Sequence, residues 1–207
     1  MRISPERLEG LLGVPSNATA LVIFAHGSGS GRLSPRNNQV AAGLREAGLA
    51  TLLLDLLRSE EELDRANVFD IQLLASRLVS ATSWSLANPE LAGLRIGYFG
   101  ASTGAGAALV AAAHMGHKIG AVISRGGRPD LAGDALERVE APTLLIVGGA
   151  DVQVIQLNRL AYEHLRGMKE LVIVPGAGHL FEESGALEQV VDPAKRWFRR
   201  FLPRVKS

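Results

Sequence analysis

Cysteine is absent from the 207-residue sequence. The chain therefore forms no disulfide, holds no thiolate-bound zinc and has no cysteine nucleophile, which fits a reducing compartment without requiring one. An excess of one charge is absent too, because 22 basic and 21 acidic side chains leave a formal charge of +1 and the two signs are interspersed. We expect neither a broad basic face for nucleic acid nor an acidic tail, and so small a charge leaves self-association into a homo-oligomer open.

Long apolar runs are also missing. No stretch reaches the length that spans a bilayer, and the first residues, MRISPER, lack the apolar core of a signal peptide. We therefore expect no membrane partner and a cytoplasmic protein.

Hydrophobic residues make up 47% of the sequence and charged residues 21%, which lets a chain of this length bury one sizeable core. No repeat, low-complexity tract or shift in composition divides the chain. We predict a single domain over residues 1–207.

Six short runs are apolar throughout rather than alternating, which is typical of strands buried on both faces of a parallel sheet. Helix-like segments separate these runs, so their order predicts an α/β fold with three layers and a mostly parallel sheet. The predicted strands are 20–25, 50–54, 96–99, 119–124, 143–147 and 171–174. The predicted helices are 35–47, 69–86, 103–114, 154–165 and 185–202.

Shorter segments complete the predicted fold. Residues 8–14 predict an antiparallel edge strand, and the polar stretch 58–65 predicts a solvated loop or short helix. The region of Gly116 and Gly120 is expected to end the helix that begins at residue 103. The connection 126–141 is too short for a large cap domain, so we expect an open active site.

The most informative motif is the pentapeptide GASTG at 100–104, which stands between an apolar run and a helix-forming stretch. A strand that turns at once into a helix leaves one residue on a cramped, outward-pointing corner, and glycines two places on either side relieve the crowding. Ser102 occupies that corner, beside the free backbone N–H groups of a helix N-terminus. It is a candidate nucleophile.

A serine hydroxyl needs a base within hydrogen-bond reach and an acid that orients the base. Asp151 and His179 each follow a predicted buried strand, and the carboxyl ends of parallel strands share the edge on which Ser102 lies. The chain order Ser, Asp, His is that of an α/β-hydrolase. Asp151 has a structural alternative as a helix cap, and Asp55 also ends a strand, although bracing the Arg58 loop suits it better.

Backbone donors must stabilise the charge that develops on the attacked carbonyl oxygen. We predict the N–H of Thr103 as one donor of this oxyanion hole. The loop that begins at His26 supplies the second, with the N–H of Ser28 as first choice and that of Gly27 next. His26 is expected to shape this loop, and both His26 and Gly27 are expected to contact the substrate.

Four segments now support a resemblance: FAHG at 24–27, GASTG at 100–104, GGAD at 148–151 and GAGH at 176–179. Together they are similar to the α/β-hydrolase superfamily, and most similar to its dienelactone-hydrolase-like branch, over nearly the whole chain. The resemblance implies an α/β-hydrolase fold and the roles of nucleophile, acid and base for Ser102, Asp151 and His179. Dienelactone hydrolase itself has cysteine at the elbow, so the resemblance implies ester or lactone hydrolysis in general rather than dienelactone as the substrate.

Arg125 and Arg128 follow a strand whose carboxyl end is predicted to lie beside Ser102. Either guanidinium can bind a substrate carboxylate, or it can brace the Gly126-Gly127 loop through internal hydrogen bonds. Both interpretations stay open at this point.

A nucleotide-binding interpretation competes with the hydrolase. The glycines of the 27–31 loop follow a G-x-G-x-G pattern rather than G-x-G-x-x-G, and Asp55 at the end of the next strand would suit a ribose. We nevertheless predict a serine hydrolase that cleaves a small ester, lactone or thioester through an acyl-enzyme, with no cofactor and no metal. The alternative from another class is a non-catalytic binding or accessory module that retains the hydrolase fold.

Overall fold

One eight-stranded sheet organises the protein, in a computed structural model that describes residues 1–3 and 5–202. The strands are β1 (Arg2–Ile3), β2 (Leu8–Gly13), β3 (Ala20–Ala25), β4 (Leu49–Leu54), β5 (Arg95–Ala101), β6 (Ile119–Arg125), β7 (Thr143–Gly148) and β8 (Lys169–Val174). Their order in the sheet is β1-β2-β4-β3-β5-β6-β7-β8. The pairings from β4 to β8 are parallel, whereas β2 pairs antiparallel with both β1 and β4.

Helices cover both faces of the sheet. They are α1 (Pro35–Glu46), α2 (Ser59–Glu62), α3 (Arg65–Phe69), α4 (Ile71–Ala87), α5 (Thr103–Met115), α6 (Val152–His164) and α7 (Glu188–Phe201). Buried side chains of α4, α5 and α6 form one hydrophobic cluster, and those of α1 and α7 form a second cluster on the opposite face. The predicted three-layer α/β architecture is therefore confirmed.

The central strands explain why the sequence shows unbroken apolar runs. In β3, Leu21 and Ile23 point into one cluster, while Val22 and Phe24 point into the other. Because successive side chains of a strand face opposite sides, a strand covered on both faces needs apolar residues at every position. The six predicted strands lie within β3 to β8 and miss at most two residues at an end.

Other expectations need correction. The sequence predicts β2 as an edge strand. In the structure β2 is second from the edge of the sheet, because β1 pairs with its outer side. The helix predicted at 69–86 is present as α4, which begins two residues later because the side chain of Asp70 accepts the N–H of Leu73 and caps it. Gly116 does end α5, at φ +54°, but Gly120 lies within β6. The polar stretch 58–65 contains the short α2, as one of the two alternatives predicted.

The carboxyl ends of the parallel strands bring distant loops to one edge of the sheet. Ala25 pairs with Gly100, Gly100 with Ser124, and Gly148 with Val174. The residues that follow β3, β5, β6, β7 and β8 therefore meet at this edge. Between β6 and β7 the chain forms only a 3₁₀ stretch, Pro129–Arg138, which packs against α5 and α6.

Within residues 1–3 and 5–202, no helix is both long enough and apolar enough to cross a bilayer.

Candidate active site

Ser102 forms a strained corner between β5 and α5. Its backbone has φ +51° and ψ −126°, a conformation that non-glycine residues rarely adopt. The Ser102 carbonyl accepts the N–H of Ala105 at 3.1 Å and that of Arg128 at 3.0 Å. Hydrogen bonds from two different segments thus hold the strained residue in place.

Two glycines let the β3 loop approach this corner. A Cβ atom added at Gly104 would lie 2.2 Å from the carbonyl oxygen of Ala25 and 2.4 Å from that of His26. A Cβ added at Gly27 would lie 2.7 Å from the Cβ of Ser102. The loop after β3 therefore packs directly on the turn that carries Ser102.

Asp151 and His179, separated by 28 residues, meet at the carboxyl edge. The Nδ1 atom of His179 lies 2.8 Å from Oδ2 of Asp151. Since a carboxylate only accepts hydrogen bonds, Nδ1 carries the proton, and in the neutral ring Nε2 keeps a free lone pair. The other oxygen of Asp151 accepts the N–H of Val154 at 3.4 Å and caps α6, so this aspartate serves as cap and histidine partner together.

Ser102 and His179 line one cavity of about 530 Å³, here called the serine cavity. Its lining consists of residues 27–31, 34–37, 101–102, 125–126 and 179–180. The His179 side chain is 40% exposed, so it is accessible to a molecule that enters. The structure thus brings the predicted nucleophile, base and acid to the same place.

The predicted oxyanion donors lie beside one another. Thr103 is the first residue of α5, and the N–H of Ser28 donates to the Thr103 hydroxyl at 3.1 Å. Ser28 can donate to a substrate oxygen only when it exchanges this bond. Its role, like that of Thr103, stays a prediction.

His26 is buried and uses both ring nitrogens within the protein. Its Nε2 accepts the N–H of Leu56 at 2.9 Å, which requires the proton on Nδ1, and Nδ1 then donates to the carbonyl of Gly27 at 2.9 Å. The Gly27 carbonyl and the Ser28 N–H belong to one peptide group, so His26 orients that group. This matches the expected loop-shaping role, and it leaves His26 no ring nitrogen with which to bind substrate.

Asp55 braces a different loop from the one expected. Its carboxylate accepts the backbone N–H of Arg32 at 2.6 Å and also pairs with the Arg32 guanidinium, which contacts Glu9 as well. These contacts with Arg32 anchor the loop between β3 and α1. The prediction that Asp55 braces the Arg58 loop is therefore wrong. An aspartate engaged in this way is also unsuited to a ribose, which removes the main support for nucleotide binding.

The two arginines of the β6 loop differ sharply. Arg128 forms a two-pronged ion pair with Asp130, with donor distances of 2.9 and 2.8 Å, and it does not line the serine cavity. Hydrogen bonding to Asp130 raises the pKa of Arg128. Arg128 is thus satisfied by its own neighbour, which argues against the substrate contact suggested for it.

Arg125 lines the serine cavity and is only 5% exposed. Its Nη2 donates to Oδ1 of Asn37 at 3.0 Å, whereas its buried Nε has no hydrogen-bond partner in the part of the chain that the structure describes. Among the described residues no carboxylate lies within ion-pair distance of it, and its guanidinium stands 5.7 Å from the ring centre of Phe181. Burial, together with the positive charge of Arg36, lowers the pKa of Arg125 to about 10. It remains charged at neutral pH, as a buried and unneutralised cation.

This arrangement predicts that Arg125 destabilises the fold. A base whose folded-state pKa lies below its unfolded value costs stability wherever it stays protonated, here at every pH below about 10. We expect Arg125→Met to raise the midpoint of thermal unfolding by a few degrees at pH 7, measured by circular dichroism. Arg128→Met, which leaves Asp130 without its partner, should not raise it. A lower midpoint for Arg125→Met would contradict the expectation.

Arg36 and Asn37 are functional candidates that the sequence analysis missed. Both belong to the first turn of α1 and line the serine cavity. Ser34 caps this helix, with a distance of 3.4 Å from its hydroxyl to the N–H of Asn37, and Pro35 is its first residue. The Ser-Pro signal predicts a helix start after β3, and hence a helix N-terminus at the carboxyl edge. These two residues could therefore have been predicted from the sequence.

No cluster of three or more histidine, aspartate or glutamate side chains in the described part of the chain is arranged to hold a metal ion.

The model of the dienelactone hydrolase family matches residues 8–202. A dienelactone hydrolase structure from Anabaena variabilis is 58% identical, with a TM-score of 0.93, and the alignment covers 97% of this chain and 94% of that one. Est1E from Butyrivibrio proteoclasticus shares the fold at 17% identity, with a TM-score of 0.83 and 97% of each chain covered.

A curated relative from Mycobacterium tuberculosis is 59% identical over 194 residues and provisionally named a phosphoribosyl transferase. The match covers 94% of this chain but only 44% of that protein.

Proposed function

Because the chain belongs to the dienelactone hydrolase family and has the α/β-hydrolase fold, we propose that it is a serine hydrolase of carboxylic esters, lactones or thioesters. The family supports a hydrolytic role. The observation that carries the more specific proposal is the hydrogen bond between Asp151 and His179 beside the cavity that also contains Ser102. Each of the three follows a different strand of the same sheet edge.

The proposed reaction has two halves. His179 Nε2 takes the hydroxyl proton of Ser102, whose oxygen attacks the substrate carbonyl carbon. The N–H groups of Thr103 and Ser28 stabilise the oxygen that becomes negative. The bond to the leaving group then breaks, and the leaving oxygen or sulfur takes the proton from His179. A water molecule, activated by His179, releases the acid from Ser102.

Asp151 has two tasks in this scheme. It keeps the proton on Nδ1 of His179, so that Nε2 faces the reaction as a base, and it stabilises the charged imidazolium. Its exposure of 17% keeps the carboxylate largely out of water. Because the capping bond to α6 fixes the carboxylate, the orientation of His179 is determined by the fold.

The transferase name of the mycobacterial relative belongs to a protein more than twice as long as the segment matched here. The chain spans less than half of that relative, whereas the dienelactone hydrolase family model covers nearly all of the chain. We therefore propose hydrolysis rather than phosphoribosyl transfer.

A non-catalytic binding module with the hydrolase fold is the competing function. Fluorophosphonates label only serines that a base activates, so labelling separates the two. We expect a fluorophosphonate probe to modify Ser102 in the unaltered protein, as located by peptide mass spectrometry, and His179→Ala to abolish the modification.

His164→Ala is the matched control, because His164 is an exposed histidine at the end of α6 and should leave labelling unchanged. A protein that remains unlabelled while folded, as judged by circular dichroism, would favour the binding module and reject the proposal.

A further inference from the structure

The loop formed by residues 27–30 lines two cavities. The serine cavity contains Ser102, His179 and Arg125. The second cavity, of about 320 Å³ and here called the aliphatic cavity, is lined by Leu57, Val68 and Leu74 together with Thr103 and Glu62. The predicted oxyanion donor Ser28 lines both cavities, Thr103 lines the aliphatic cavity and Ser102 lines the serine cavity, so the two cavities offer separate places for the halves of a substrate.

The serine cavity is built for negative charge. Its described lining includes two arginines and no carboxylate; Arg36 is paired with Glu182, which lies outside this lining, so Arg125 is the arginine without a carboxylate partner among the described residues. Arg125 is nine-tenths or more buried, and among the described residues its Nε has no hydrogen-bond partner and its charge meets the ring of Phe181 at 5.7 Å but no carboxylate. A buried cation is costly unless something neutralises it, and this one faces the cavity in which the substrate must bind.

The N-terminus of α1 adds a second, independent source of positive potential. Residues 34–37 of its first turn line the same cavity, and the helix runs for 12 residues. Pro35 has no N–H and Ser34 caps that of Asn37, so it is chiefly the helix dipole that favours an anion at this end. Asn37 connects the two sources, because its side-chain oxygen accepts the hydrogen bond from Arg125.

The aliphatic cavity has the opposite character. Three aliphatic side chains line it alongside the neutral polar residues His26, Ser28, Ser30 and Thr103, and the only charged residue in its described lining is Glu62. An anionic group placed there would lose water and meet a like charge. A neutral, apolar group suits this cavity.

The position of His179 decides which half of the substrate occupies which cavity. In the proposed reaction His179 hands its proton to the leaving atom, so the leaving group must lie on the side of His179. That side is the serine cavity, with Arg125 and the first turn of α1. The acyl group then extends toward the aliphatic cavity.

We propose that the natural substrate carries its negative charge on the leaving group, as a carboxylate or phosphate bound by Arg125 and the N-terminus of α1, and that its acyl group is neutral and apolar. This inference rests on the proposed hydrolase function and names its substrate class. When the carbonyl carbon–leaving oxygen bond breaks, the electron pair stays on that oxygen, which takes the His179 proton. The products after attack by water are an apolar carboxylic acid and an alcohol that bears the anion.

Matched nitrophenyl esters test the placement of charge. The neutral reference is 4-nitrophenyl butanoate; 3-carboxy-4-nitrophenyl butanoate adds a carboxylate to the leaving group, and the mono-4-nitrophenyl ester of succinic acid adds it to the acyl group. We expect kcat/KM for the carboxylated leaving group to exceed that of the reference by about tenfold or more, and the succinyl ester to show no gain. Equal rates for the first two esters, or a preference for the succinyl ester, would overturn the inference while leaving the hydrolase function intact.

Arg125→Gln identifies the group responsible. It should reduce the ratio of kcat/KM between the carboxylated and the neutral leaving group by about tenfold or more. Arg128→Gln, the arginine already paired with Asp130, should keep the ratio of the unaltered protein. A ratio that both variants change equally, or that neither changes, would contradict a specific role of Arg125.

Binding to the Ser102→Ala variant provides a test that does not depend on catalysis. We expect 5-hydroxy-2-nitrobenzoate, the anionic leaving group, to bind at least about tenfold more tightly than 4-nitrophenol by calorimetry, and Arg125→Gln to remove the difference. 4-Nitrophenyl phosphate as a third ligand distinguishes a phosphate subsite from a carboxylate subsite. If both nitrophenols bind equally, the anion subsite is rejected, whereas an unlabelled Ser102 in the fluorophosphonate experiment rejects the hydrolase function.

Discussion

Ser102→Ala is expected to lower kcat on activated short-chain esters by about four to six orders of magnitude, since the loss of one nucleophile removes the acyl-enzyme route altogether. Binding of the substrate should change little, because the cavity walls, Arg125 and the backbone donors remain. Fold stability should also change little, since alanine at φ +51° meets the same backbone strain as serine. The loss should therefore appear in kcat rather than in KM.

Initial rates on 4-nitrophenyl butanoate, compared at equal concentrations of folded protein, measure this effect. Ser76→Ala is a suitable control, because the Ser76 hydroxyl donates to the carbonyl of Leu73 on the exposed side of α4. That variant should retain the original rate. Activity of Ser102→Ala within tenfold of the unaltered protein would reject Ser102 as the nucleophile.

Gly104→Ala should destabilise the fold severely, by about 3 kcal/mol or more of unfolding free energy. The new Cβ would lie 2.2 Å from the carbonyl oxygen of Ala25 and 2.4 Å from that of His26. Both atoms are backbone, and Ala25 ends a central strand that is paired on both sides in the sheet. The clash therefore cannot be relieved by rotating a side chain, and the β3 loop must move away from the elbow.

Urea unfolding followed by circular dichroism measures the change. Gly106→Ala is the matched control in the same helix, where the added Cβ meets its closest neighbour, the Cβ of Leu131, at 3.0 Å. Replacing glycine by alanine within a helix gains about 1 kcal/mol, which offsets much of this tighter contact. A Gly104→Ala protein as stable as Gly106→Ala would show that the β3 loop does not press on the elbow as described.

Local patterns in the sequence predicted most of the sheet. The run Ala20–Ala25 was predicted to the residue because each of its positions faces one of the two cores. The same patterns failed where a single side chain changes the course of the chain. The cap at Asp70 starts α4 at Ile71, two residues after the predicted start, and β1 is too short to produce any periodic pattern.

The sequence by itself determined the fold class and the meeting of Ser102, Asp151 and His179, since residues that directly follow parallel strands must share one edge of the sheet. It did not distinguish Arg125 from Arg128, because their difference depends on partners elsewhere. Arg128 finds Asp130 two residues away, whereas Arg125 meets Asn37 across 88 residues of chain and is buried there without a carboxylate. Only the tertiary structure decided these environments, because burial and long-range hydrogen bonds arise from packing between segments that no local pattern connects.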